Sequence, residues 1–322
     1  MPPHARWFRV GKGFGIIVPV TLRFGLFGTG YWAAETQAAG LAGHPDADFV
    51  GVWGRDPAKA GALADRYGVR AFAEVDELID AVDAVAVALP PHVQAPLAIR
   101  AARAGRHLLL DKPIALDLAE ADELVAAVDG SGVASLVFVT NRYRPVVESW
   151  LERTAATAGW GGARVTMLGS IFGADSPYRD SRWRREHGGL WDLGPHALSL
   201  VLPVLGPVDE AVAVPAPYGT VHAILRHRGG AVSTLATSLD SPPALAVWAA
   251  TFFGEAGTTR IPAEPIDAVT AFRAAIARLA ANVAAGRPDD PLDVRAGRDT
   301  VAVLTAAQAS VDRAGAPQPV CY

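Results

Sequence analysis

Cysteine is almost missing from this chain of 322 residues, with Cys321 standing alone. No disulfide framework can form within one chain, and a single thiol fits a reducing compartment, so a cytoplasmic location is expected. Excess basic charge is missing too. With 29 Lys and Arg against 33 Asp and Glu, the formal net charge is -4. No positive field is left to hold a nucleic-acid backbone, and no nucleic-acid partner is expected. Long apolar runs are also missing. Each is broken by glycine, proline or charge, which argues against a membrane-spanning helix. The histidines are scattered and show no Cys/His ligand spacing, so no metal site is expected. No internal repeat interrupts the chain. What is present is a chain 51% hydrophobic and 19% charged. That is enough for a sizeable core and, by length, for two domains.

Residues 1–21 read as an extension. They are basic at His4, Arg6, Arg9 and Lys12, and their apolar patch Phe14–Val20 is broken by Pro19. That patch is too short to span a bilayer, and no small-residue cleavage site follows it cleanly. We expect this stretch to be poorly ordered or specific to this protein.

Organisation begins with the apolar run Arg23–Phe27, a buried strand, followed by Gly28-Thr29-Gly30-Tyr31-Trp32-Ala33. This G-x-G-x-x-A turn, with a helix to about Ala42, is a dinucleotide fingerprint. Gly28 allows the tight turn, Gly30 lets backbone approach a pyrophosphate, and Ala33 lets helix pack on strand. Free N–H groups at the helix start would meet the phosphates. Gly28, Thr29, Gly30, Tyr31 and Trp32 are therefore candidate cofactor contacts. The second strand, Asp48–Trp53, is followed by Gly54 and Arg55 where an acid usually grips the ribose. A guanidinium there suits a 2′-phosphate, which leans the cofactor toward NADP over NAD. The alternative is that Arg55 stacks on adenine and either cofactor binds. Asp56-Pro57 reads as a helix cap and first helical residue.

A helix to Tyr67, a strand at Val69–Phe72 and a helix over Glu74–Asp80 follow, then the all-apolar strand Ala84–Leu89. Ligands of parallel sheets bind beyond the strands' carboxyl ends. Leu89, Pro90, His92 and Gln94 are candidates for the nicotinamide side, although His92 equally suits a helix start. A helix over Ala95–Ala104 leads to the strand Arg106–Leu110 and then Asp111-Lys112-Pro113. Lys112 thus stands where chemistry occurs in such a sheet; the plain alternative is a surface lysine. A helix from Asp117 and a strand over Val133–Val139 complete a β-α alternation across 22–140. That alternation specifies a doubly wound, parallel α/β domain.

Residues 141–322 change character. A helix near Val146–Ala158 and a strand at Ala163–Ile171 precede a polar loop, Gly173–Gly189, which is either a lid or an ordinary solvated arm. Arg142, Tyr178 and Arg184 are candidate substrate contacts, with packing and surface pairing as their rival roles. Next comes Leu190-Trp-Asp-Leu-Gly-Pro-His196. Asp192 and His196, four apart, share one face of a helix. Histidine is the usual general base near neutral pH, while a surface helix pair is the plain alternative. Strands near Glu210–Val214, His222–Arg228, Ala231–Leu239 and Ala246–Phe253 imply a largely antiparallel sheet. An apolar open face on it would invite self-association. Helices over Ile266–Ala285 and Ala296–Arg313 close the chain.

Taken together, the Gly28 turn, Leu89-Pro-Pro-His92 with Ala101–Gly105, Asp111-Lys112-Pro113 and Gly188-Gly-Leu-Trp-Asp192-Leu-Gly-Pro-His196 resemble the Gfo/Idh/MocA oxidoreductases over roughly residues 22–314. The resemblance implies a nucleotide-binding domain, then an α/β domain whose large, mostly antiparallel sheet often makes homodimers or homotetramers. It implies an NAD(P)-dependent dehydrogenase or reductase acting on a small sugar, polyol or related cyclic alcohol. Lys112 matches the family's catalytic lysine, Asp192 its motif aspartate and His196 its proton-transferring histidine. All three would touch substrate, and Asp111 and Lys112 would also face the cofactor. Asp111 replaces the usual glutamate, Ser199 an acid often found three residues after the histidine, and Gly54 the ribose acid. Two other outcomes of the same resemblance are a cofactor-binding regulator without turnover and an NAD-dependent glycoside-cleaving enzyme with no net redox.

Overall fold

The computed structural model describes residues 6–10, 13–17, 20–263, 265 and 267–322. Within the extension, β1 (Arg6–Val10) pairs antiparallel with β2 (Gly13–Ile17), an element absent from the sequence expectation. His4, Lys12 and Pro19 lie outside the described residues.

Two compact units account for the chain. The first takes Met1–Ala115, Ala119–Phe138 and Asp267–Gly297; the second takes Leu116–Leu118, Val139–Ile266 and Arg298–Tyr322. The chain leaves the first unit close to the expected boundary. The expected 141–322 domain, however, is not continuous, because residues 267–297 return to the first unit.

The first unit holds six parallel strands: β3 (Leu22–Phe27), β4 (Ala47–Trp53), β5 (Arg70–Phe72), β6 (Ala84–Val87), β7 (His107–Asp111) and β8 (Ser135–Phe138). Their order is β5-β4-β3-β6-β7-β8. Strand order therefore reverses between β3 and β6, and such a switch point opens a crevice at the strands' carboxyl ends. Phe24, Leu26, Phe27, Val85 and Leu109 are fully buried, as strands apolar on both faces require. The returning segment explains its own membership. Asp267 caps the helix Ala268–Ala284 by accepting from the Val269 and Thr270 amides. From that helix the Phe272 ring meets Phe138 edge-on, 4.9 Å between centroids. Farther on, the Val137 amide donates to the Leu292 carbonyl at 2.7 Å.

In the second unit seven strands form one sheet: β9 (Trp160–Leu168), β10 (Val208–Ala216), β11 (Thr220–His227), β12 (Val232–Ser238), β13 (Val247–Gly254), β14 (Gly257–Arg260) and β15 (Gln318–Pro319). The order is β14-β13-β9-β12-β11-β10-β15. Only β9 and β12 run parallel; the other neighbours are antiparallel. The two short edge strands β14 and β15 were not expected from the sequence. One face carries Val165, Met167, Leu235, Ala250 and Phe252, all buried in a core shared with Leu190, Leu193, Ala197 and Val201 of the helix Arg182–Leu205. On the other face, Val214 and Ile224 are exposed. Among the described residues no helix is long and apolar enough to cross a membrane.

Candidate active site

The nucleotide loop follows β3. Gly28 has φ 125°, and a Cβ there would strike the Ala88 carbonyl oxygen, so only glycine allows the two strand ends to approach. Around Gly30 the space is open, with nothing within 4 Å of a notional Cβ. Helical structure begins directly after it and passes through a π turn, Ala33–Ala38, into Ala39–Leu41. Ala33 is fully buried, as the close packing of helix on strand demands. The residues between the glycines and Ala33 differ in kind. Thr29 is half-buried, Tyr31 is 52% exposed, and the Trp32 indole stacks on Phe138 at 6.3 Å. At the end of β4 a Cβ on Gly54 would lie 2.5 Å from the Thr29 methyl, so the loop itself fills the place of a ribose acid. Arg55 is exposed beside it. Asp56 caps the next helix through the Ala58 and Lys59 amides, at 3.0 and 3.2 Å.

Across the switch point, Leu89 and Pro90 are half-buried. The next helix runs Pro91–Arg103, four residues earlier than expected, with Pro91 in its first turn. Proline suits that position because it has no N–H to leave unpaired. His92 is therefore a helix-start residue, and it is exposed. Gln94, in contrast, is fully buried and clamps the segment carrying Lys112. Its Nε2 donates to the Asp111 and Pro113 carbonyls at 2.8 and 3.1 Å, and its Oε1 accepts from the Asp111 amide at 2.9 Å. The Lys112 amide donates to its neighbour's carboxylate, Asp111 Oδ1, at 2.8 Å. The Lys112–Pro113 peptide is cis. Lys112 itself is half-buried at the carboxyl end of β7.

In the second unit the motif helix begins earlier than expected. Arg182–Leu205 is helical around a break at Gly188 (φ 63°, ψ -162°), so the polar loop ends at Ser181. That backbone region is essentially restricted to glycine. At Gly189 a Cβ would sit 2.6 Å from the Ser238 amide nitrogen of β12, so the second glycine lets the helix press onto the sheet. Asp192 and His196 then lie on the covered side, each 6% exposed. They are not a solvated surface pair. Asp192 Oδ2 accepts from Arg184 Nε at 3.3 Å, and the Arg184 guanidinium lies over the Tyr178 and Trp183 rings at 4.6 and 4.7 Å. Tyr178, Arg184 and Asp192 are thus one cluster. Arg142 is committed elsewhere: buried, it donates to Glu148 at 3.0 Å and to the Ser199 carbonyl at 2.8 Å. Ser199 turns back on its own helix, donating to the His196 carbonyl at 2.8 Å.

Sequence reasoning missed Trp248. Its indole stands edge-to-face with the His196 ring, centroids 5.2 Å apart. No sequence signal marks it, because an aromatic in a β-strand is ordinary. His107 and His227 have structural surroundings. Burial pushes His107 and His227 below the usual imidazole range, and the His227 ring lies 2.8 Å from both the Gly206 carbonyl and Ser233 Oγ. Among the described residues no three His, Cys, Asp or Glu side chains come together as a metal site.

Comparison with known proteins adds three findings. A family model described as "Oxidoreductase family, NAD-binding Rossmann fold" matches residues 22–139, and one described as "GFO/IDH/MocA C-terminal domain" matches residues 162–260. Two curated relatives are dTDP-3,4-didehydro-2,6-dideoxy-alpha-D-glucose 3-reductase of Streptomyces antibioticus and inositol 2-dehydrogenase of Rhizobium meliloti (strain 1021). The reductase is 29% identical over 58% of this chain and 57% of its own length. The dehydrogenase is 28% identical over 68% of this chain and 69% of its own. Among solved structures, the WlbA dehydrogenase of Bordetella pertussis, in complex with NADH and UDP-GlcNAcA, is similar at TM-score 0.79 and 25% identity, covering 94% of this chain and 99% of that one.

Proposed function

The chain belongs to the Gfo/Idh/MocA oxidoreductase family, and on that premise we propose that it is a dehydrogenase or reductase moving a hydride between NAD(P) and a carbinol or carbonyl carbon of a sugar, polyol or related cyclic alcohol. The observation that carries this is the buried His196, one helical turn beyond Asp192. A buried imidazole and a buried carboxylate in the helix beyond Gly188 are costly to keep, and such groups concentrate at functional sites.

The Gly28 loop fits a dinucleotide. Backbone that a Cβ would block, open space at Gly30 and the helix start beyond form the cradle a pyrophosphate needs. Thr29, Tyr31 and Trp32 belong to that loop, and Leu89, Pro90, His92, Asp111 and Lys112 are the proposed contacts on the nicotinamide side. Arg55, with no acid at position 54, favours NADP over NAD. The bound nicotinamide supplies or accepts the hydride; the protein supplies placement and field. His196 takes the hydroxyl proton in oxidation and returns it in reduction. The Lys112 ammonium stabilises negative charge growing on the substrate oxygen. Asp192, held by Arg184, orients a neighbouring substrate hydroxyl, with Tyr178 and Arg184 at the rim. Arg142 keeps the segment bearing Asn141 against the motif helix. Self-association through the exposed face of the seven-stranded sheet, as a homodimer or homotetramer, fits its uncovered Val214 and Ile224.

The test is turnover followed by nicotinamide absorbance, with cofactor affinity measured alongside. Lys112→Ala and His196→Ala are each expected to lower kcat by about a hundredfold or more while leaving cofactor Kd within about twofold. Unchanged kcat in either variant removes that residue from the mechanism.

A further inference from the structure

The helix-covered face of the second unit's sheet is not covered to its end. Along β13, Trp248, Ala250 and Phe252 point to one side, because side chains alternate along a strand. Ala250 is 1% and Phe252 0% exposed, and Met167, paired with Trp248 across the sheet, is 1% exposed. Trp248 itself is 40% exposed. The cover therefore stops at this residue, and a cleft opens there, lined by Asn141, Arg144, Met167, Trp248, Ile261 and Pro262. Its indole is the group that touches the His196 ring.

One wall of this cleft carries a polar atom with an unfilled need. Asn141 is 1% exposed, and its Nδ2 has no hydrogen-bond partner among the described residues. The amide orientation is set, because Arg144 Nη1 donates to Asn141 Oδ1 at 3.3 Å, leaving Nδ2 as the spare donor. A buried donor without an acceptor is costly, and native proteins seldom keep one without a use. The rest of the lining is mainly apolar. A cleft of apolar walls with a few placed polar groups is the usual form of a small-molecule site.

We propose that Trp248 and Asn141 form a specificity-determining subsite next to His196. The indole takes an apolar face of the substrate, and the Asn141 amide donates to an acceptor oxygen on its rim. Arg144 is a positioning residue that holds that amide. The negative face of an aromatic ring attracts polarised C–H groups. A ring presenting several such groups in one plane gains more from the indole than an acyclic molecule, which must also give up rotational freedom. The subsite therefore favours a cyclic over an acyclic alcohol. This rests on the redox reading above only for the role of His196.

The experiment is saturation-transfer NMR with titration on the cofactor-loaded protein. The probes are myo-inositol and methyl α-D-glucopyranoside, set against the acyclic polyol glucitol. Both cyclic probes are expected to receive saturation at their ring C–H protons and to bind more tightly than glucitol. Trp248→Leu and Asn141→Ala are each expected to raise the cyclic probes' Kd about tenfold, and Trp248→Phe to retain binding. Binding unaffected in Trp248→Leu or in Asn141→Ala, glucitol bound as tightly, or no cyclic probe bound by the wild type overturns the subsite. If binding behaves as expected but no probe changes nicotinamide absorbance, the subsite stands and the redox reading fails. If turnover proceeds with undiminished affinity in Trp248→Leu, the reverse holds.

Discussion

Gln94 shows how a single buried amide can hold the backbone on either side of a lysine in place. Its Nε2 donates to the Asp111, Pro113 and Ile114 carbonyls and its Oε1 accepts from the Asp111 amide, on either side of Lys112. A strand that ends in a proline has few backbone partners of its own, and a side chain from the neighbouring helix provides them. Gln94→Leu keeps the volume and removes these bonds, and the part-buried Asp111 amide loses the Gln94 oxygen as its acceptor. We expect a loss of about 2–3 kcal/mol in denaturant unfolding, with kcat reduced because the lysine is no longer held. Stability within about 0.5 kcal/mol of wild type would show that the clamp contributes nothing. The sequence placed Gln94 near the nicotinamide side only by its position after a strand's carboxyl end. Its function depends on the carbonyls it meets, and those come from residues seventeen or more positions away. The same holds for Asn141 and Trp248. Each is an ordinary residue of its own element until its neighbours across the fold are known.

Among the elements, the motif helix uses its two glycines differently. Gly188 supplies a backbone conformation that other residues avoid, and Gly189 supplies clearance against β12. Gly189→Ala would push its methyl into the Ser238 backbone, which cannot swing aside as a side chain can. The expected cost is about 3 kcal/mol in equilibrium unfolding, against about 1–2 kcal/mol for Gly188→Ala, where only the dihedral is strained. A larger effect at Gly188 than at Gly189 would contradict this assignment. Short motifs of this kind are legible in a sequence because each glycine answers a local steric demand. The turn before it, Arg182–His187, was less so. Only Trp183 of that stretch is buried, and one buried residue sets no period, so the charged residues made it look like loop. The parallel strands of the first unit read clearly because burial on both faces leaves them uniformly apolar. The edge strands β14 and β15 are short and mostly exposed, and nothing in their composition separates them from loop.

For the molecule as a whole, the first unit is assembled from three separated stretches of chain. That was not legible, because the pattern of residues 268–284 says only that one helical face is apolar, not which sheet it covers. The returning segment places Phe272 on Phe138 and Gly297 within contact of Ile114 and Val137. A fragment of residues 22–140 would leave those apolar surfaces in water. It is expected to unfold without a cooperative transition in urea, followed by circular dichroism. The same fragment joined by a short linker to residues 267–297 should recover one. A sigmoidal transition in the shorter fragment, with the midpoint of the longer, would contradict this.

The late return of that segment also bears on synthesis. As the polypeptide leaves the ribosome, its nucleotide-binding unit stays unfinished until Gly297 has emerged, long after the last strand of its sheet, Ser135–Phe138. Its partly built sheet must meanwhile be kept from sticking to other nascent chains. A prematurely stopped message would then yield no usable dinucleotide binder, and a gene fusion that borrows this half as a cassette must carry the distant stretch with it.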